Sequence, residues 1–153
     1  MTEKIDATKS DDRAVDLATF YVGEALCGMD ILKIQEINKH MRMTKVPQAP
    51  EYITGILNLR GQIISVINLG RKLGLTSTEI TDESRNIIVN YEDGFIGLLV
   101  DRISDVALAD KDEVEPPPAN IGGIQGAFFE GVFKTKDKLI GILDVKKVLE
   151  SGN

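Results

Sequence analysis

One cysteine, one histidine and no tryptophan occur in this 153-residue chain, and those scarcities exclude a good deal of chemistry. A single thiol, Cys27, forms no internal disulfide, and its alternating apolar surroundings read as those of a small buried hydrophobe. The sole histidine, His40, sits in the polar stretch Asn38-Lys39-His40 and reads as a surface-loop residue. With one residue of each kind, the usual zinc spacings are not available. Apolar runs are short as well, none approaching the roughly 20 residues that span a bilayer. Basic charge is also in deficit: 18 Lys and Arg against 24 Asp and Glu give a net charge of −6. No broad positive field exists to gather phosphates, which argues against nucleic acid or an anionic membrane as the main partner. Residues 1–16 lack an apolar core, so neither a signal peptide nor an anchor is read there; the expectation is a flexible tail in a cytoplasmic protein.

Catalytic motifs are equally sparse. Asp110, Asp112, Glu113 and Glu115 lack the glycine-bearing pattern of a calcium loop and run into Pro116-Pro117-Pro118, so they read as a solvated acidic rim. Gly122, Gly123 and Gly126 make no dinucleotide fingerprint, and no phosphate loop follows them. Asp101 and Asp105 have no companion that would mark an acid–base pair. The reading is of a protein without catalytic, cofactor or metal sites.

What the chain does contain is a repeat. Gly55 to Leu73 reads Gly-Ile-Leu-Asn-Leu-Arg-Gly-Gln-Ile-Ile-Ser-Val-Ile-Asn-Leu-Gly-Arg-Lys-Leu, and Gly131 to Leu149 follows the same pattern without a gap. Each copy has two alternating apolar runs about a polar turn and ends in a short amphipathic segment. A second pair of hairpins precedes them: Leu17 to Asp30 about Gly23-Glu24, and Asn86 to Val100 about Glu92-Asp93-Gly94. Each of these leads into a related five-residue motif, Lys33-Ile34-Gln35-Glu36-Ile37 and Arg102-Ile103-Ser104-Asp105-Val106. The motifs lie 69 positions apart and the later hairpins 76, so a seven-residue insertion in the intervening loop accounts for the difference. For Ile31 to Asn38, a tight helical turn entering a strand is favoured by β-branched content, with a single helix as the alternative.

These units predict an all-β chain of two packed five-stranded barrels with short helical turns. Closure of each barrel would remove exposed sheet edges. Because neither unit buries much alone, a hydrophobic seam between them is expected to supply much of the stability. The threonine-, serine- and acid-rich stretch Leu75 to Ser84 reads as the linker, giving a tail at 1–16, a first barrel at 17–76 and a second at 77–153.

Taken together, Gly28-Met29-Asp30-Ile31 with the Lys33 to Ile37 motif, the Pro47 to Pro50 loop, Gly55 through Asn58-Leu59-Arg60-Gly61, Asn68-Leu69, and Val100-Asp101 with Ile103 to Val106 resemble the CheW family of chemotaxis coupling proteins. The resemblance runs from Leu17 to Leu149. It implies two intertwined SH3-like barrels and a noncatalytic adaptor that couples chemoreceptors to the CheA histidine kinase in signalling arrays. The implied partners are the cytoplasmic tip of the receptors and the kinase's regulatory domain, with the protein recruited from the cytoplasm to membrane-associated arrays. It places Ile34, Glu36, Gly55, Asn58, Arg60, Ile87 and Val106 where receptor or kinase contacts are expected, without dividing them between the two.

Two positions depart from the family pattern: Ser65 stands where proline is frequent and Asn68 where aspartate is, although Asp144 keeps the acid in the second copy. No receiver domain is expected after it, unlike in the CheV type of coupling protein, and the sequence shows no kinase boxes. An adaptor of a non-flagellar array is an alternative reading. A small barrel binding a ligand or nucleic acid is another.

Overall fold

The computed structural model describes residues 13–39 and 42–150; His40, the end of the chain and most of the expected tail lie outside the described residues. Ten strands form two five-stranded sheets, and a short antiparallel pair, β9(Asn120–Ile121) with β10(Ile124–Gln125), stands beside them. Sheet I has the order β11(Phe129–Lys134), β12(Leu139–Leu143), β2(Ala25–Asp30), β1(Ala14–Val22), β8(Arg102–Asp110). Sheet II has the order β3(Ile34–Lys39), β6(Arg85–Tyr91), β7(Gly94–Val100), β5(Gln62–Asn68), β4(Ile53–Leu59).

This order corrects the division at residue 77. Each sheet takes strands from both halves: the early hairpin β1–β2 joins the late hairpin β11–β12 through a parallel pairing of β2 with β12, and β5 joins β7 in the same way. The strand that carries the continuous buried run Ile87-Ile88-Val89, β6, lies between β7 of its own half and β3 of the other. The tail is corrected too. β1 begins at Ala14, because the nine-residue β8 offers partners to Ala14, Val15 and Asp16 as well as to Leu17; backbone pairing, rather than apolar content, orders this segment.

The repeat is kept pair by pair. Gly28 faces Ile142 across the β2–β12 pairing and Gly97 faces Val66 across β5–β7, positions related by the same two offsets of 69 and 76 seen in the sequence. Bulges recur between Ile53 and Gly55 and between Phe129 and Gly131. Each sheet curls toward closure through one further bridge, Thr44 to Ile56 in one and Glu115 to Val132 in the other, with hydrogen bonds of 2.8–2.9 Å. Ile31–Lys33 is a single 3-10 turn leading into β3, as the favoured reading had it, and Leu69–Lys72 is the short helix after β5.

Three apolar clusters result. The largest, eighteen buried residues, lies between the sheets: Phe20, Cys27 and Met29 come from sheet I, and Ile67, Ile87, Val89, Leu98 and Val100 from sheet II. The other two clusters hold six residues, including Leu17 and Ile140, and five, including Leu57 and Ile88. The expected seam is therefore the main core. At about 1.5–3 kcal/mol for each large side chain fully buried, it outweighs either smaller cluster.

Candidate protein-binding site

The β4–β5 hairpin turns through Arg60 and Gly61, with Leu59 paired to Gln62. Both central residues have positive φ, 51° and 88°, the signature of a type I′ turn whose twist matches that of the strands it joins. Gly61 adopts this conformation at no steric cost, whereas Arg60 does not. The side chain of Asn58 supports the turn by accepting a hydrogen bond of 2.9 Å from the Gly61 N–H.

So held, the Arg60 guanidinium reaches from the hairpin to β3 and donates to Glu36 Oε1. Asn38, two residues along β3, donates to Glu36 Oε2 at 2.9 Å. These two hydrogen bonds, that of Asn38 foremost, hold the Glu36 carboxyl below the usual glutamate range. Two carboxylate oxygens are thus engaged, one by a neutral donor and one by a cation, while the Arg60 side chain stays two-thirds exposed at 67%. A guanidinium has five N–H donors, so most of its hydrogen-bonding capacity faces outward.

Gly55 lies deeper on the same strand. A Cβ there would stand 2.7 Å from the Thr44 carbonyl oxygen, so the missing side chain lets the 42–46 segment cross β4 and bridge to Ile56. Its role is closure of the sheet.

The remaining expected residues separate. Ile34 is half-buried and packs against the seam, as does its repeat partner Ile103. Ile87 is 0% exposed within the seam; its assignment to a partner-facing surface is corrected, because a residue enclosed on both faces of a central strand offers nothing to touch. An isoleucine in an alternating run does not disclose which side of the sheet is covered. Val106 is 60% exposed on β8, on the other sheet from Glu36 and Arg60.

Three residues escaped the sequence reading. Leu32 is 85% exposed and Leu108 67%, and both line one groove with Ile31, Ala14, Asp16 and Lys111. Asp30 creates this exposure by accepting a 2.9 Å hydrogen bond from the Leu32 N–H, which fixes the 3-10 turn and leaves Leu32 outside the core. Val106 and Leu108 alternate on one face of β8, extending the apolar strip. Ile63, also well exposed, stands opposite Asn58. The available signal was the apolar Ile31-Leu32 pair directly after a capping aspartate. Among the described residues, no group of three or more His, Cys, Asp or Glu side chains could hold a metal ion, and no helix is long and apolar enough to cross a membrane.

Comparison with known proteins agrees with this architecture. A CheW-like domain model matches residues 16–153. The chain is 36% identical over 145 residues to the chemotaxis protein CheW of Treponema pallidum, covering 92% of this chain and 85% of that one. It is 33% identical over 134 residues to that of Bacillus subtilis, covering 88% and 86%. The crystal structure of the scaffolding protein TtCheW from Thermoanaerobacter tengcongensis superposes with a TM-score of 0.82 at 38% identity, covering 90% of this chain and 89% of that one. With sheets, closures and repeat in place along the matched length, this chain belongs to the CheW-like domain family.

Proposed function

We propose that this protein is a noncatalytic adaptor of a cytoplasmic chemotaxis array, joining the helical tip of a chemoreceptor to the regulatory domain of the CheA kinase. The observation that carries this reading is the exposed apolar strip of Leu32, Val106 and Leu108. Contiguous exposed apolar surface marks a binding site, and a groove with such anchors suits the apolar face of an amphipathic helix. The Arg60 hairpin is chemically different, a charged turn suited to carboxylates or carbonyls on a folded domain. We assign the strip to the receptor and the hairpin to the kinase. Signal passes because contacts at the two surfaces differ in free energy between kinase-on and kinase-off arrangements, a coupling of about 1–3 kcal/mol.

Binding measured separately for each partner tests the assignment. Leu108→Glu weakens binding of a receptor-tip fragment at least about tenfold, equivalent to about 1.4 kcal/mol, and leaves kinase-domain binding unchanged; Arg60→Ala does the reverse. Equal losses toward both partners from either variant would refute the division.

A further inference from the structure

The two copies of the repeated hairpin make different turns. In the second copy the turn residues are Lys136 and Asp137, closed by a backbone hydrogen bond of 2.8 Å from Thr135 N to Lys138 O. Neither has positive φ. The position of Asn58 is taken by Lys134, which has no acceptor and instead pairs with Glu115 at 3.5 Å; the position of Gly61 is taken by Asp137. In place of the Asn58 bond, Thr135 Oγ1 accepts from Lys138 N at 3.0 Å. The counterpart of Arg60 is Lys136 and that of Glu36 is Asp105. Among the described residues neither Lys136 nor Asp105 forms an ion pair. One molecule therefore holds both outcomes of the same hairpin: with Asn58 and Gly61 the basic turn residue is joined to the acid on the neighbouring strand, and without them it is not.

We infer that Asn58 is a positioning residue, selecting the mirror turn that aims Arg60 at Glu36, and that it does not itself have to meet a partner. A non-glycine residue at positive φ is disfavoured by contact between its Cβ and the backbone, so Arg60 needs compensation. The Asn58 carbonyl provides it by engaging the N–H of the second turn residue, as Asx side chains do in turns. With φ of residue 60 reversed, its Cα–Cβ bond points to the other side of the hairpin, and the guanidinium leaves Glu36. This refines the partner-binding reading of Arg60, on which its consequence for signalling rests, while its test needs no partner.

The experiment is an NMR titration of the Glu36 carboxyl in the isolated full chain. Arg60 and Asn38 both depress this group, and Arg60 is its only charged donor among the described residues. Asn58→Ala removes one exposed hydrogen bond, so the fold, checked by amide dispersion, remains. The Glu36 titration then moves upward toward the ordinary glutamate range, part of the way, since Asn38 still donates. Asn58→Asp, which keeps the acceptor, restores the wild-type titration. In an Arg60→Ala background, Asn58→Ala leaves Glu36 unmoved. The inference is overturned if Asn58→Ala and wild type titrate alike, or if Asn58→Ala shifts Glu36 equally with and without Arg60.

Discussion

Asn68 and Thr78 hold each other through two hydrogen bonds: the Thr78 N–H donates to Asn68 Oδ1 at 2.8 Å, and Asn68 Nδ2 donates to the Thr78 carbonyl at 2.9 Å. The same Oδ1 accepts from Arg71 N at 3.1 Å and caps the Leu69–Lys72 helix. One amide thus fastens the linker between the repeats to the end of β5. This accounts for an asparagine rather than an aspartate at position 68, since a carboxylate has no donor for the Thr78 carbonyl. The counterpart Asp144 caps the following helix, accepting from Lys147 N at 3.1 Å.

Asn68→Asp therefore lowers stability by about 1–3 kcal/mol, the usual effect of leaving a buried partner unsatisfied. Asp144→Asn changes it by less than about 1 kcal/mol, because an asparagine caps a helix nearly as well. Urea unfolding of the two variants reads the contrast, and equal effects would contradict it.

Gly55 and Gly131 are equivalent closures, each with a backbone carbonyl 2.7 Å from where a Cβ would stand, of Thr44 and Glu115 respectively. A carbonyl within a paired segment does not swing aside as a side-chain end does. Gly55→Ala and Gly131→Ala each destabilise by about 1–3 kcal/mol. Gly94→Ala, with open space around it, stays within about 1 kcal/mol of wild type. Thermal unfolding ranks the three.

Burial raises the Cys27 thiol to about 12. The folded state keeps this proton while an exposed thiol, at its ordinary value of 9.0, gives it up. The contribution is fully present below that value and is lost as pH rises from it toward about 12. Thiol-reagent labelling at pH 8 accordingly proceeds at the rate of unfolding, since only thiolate reacts. Rapid labelling of the native protein would contradict this.

Glu36 has the opposite sign. Its folded value is depressed, so the contribution of the Arg60–Glu36–Asn38 cluster is present above the ordinary value of 4.5 and is lost as pH falls through the lower folded value. Side-chain NMR of Arg60 should show the guanidinium released only in that acidic range. Release well above pH 4.5 would count against the pair.

The repeat made much of this fold legible, because ladder register follows sequence offset: the 69- and 76-residue spacings reappear as the Gly28–Ile142 and Gly97–Val66 pairings. Exchange of strands between the halves was not readable from composition or spacing, since a hairpin shows its own pairing but not its next neighbour. Within the site, Arg60 and Glu36 were legible singly, while their union depends on closure of sheet II by the Thr44–Ile56 bridge. Ile87 and Leu32 show the same gap from opposite sides. Both are apolar residues in apolar runs, yet one is enclosed by the seam and the other is turned outward by the Asp30 hydrogen bond.

The most direct test of the adaptor reading is ternary co-sedimentation of receptor-containing membranes, CheA and this protein, with kinase activity assayed in the pellet. The account predicts that CheA joins the pellet and comes under receptor control only when this protein is added, and that Leu108→Glu and Arg60→Ala each abolish that control. Recruitment and control of CheA at the same level without this protein would contradict it.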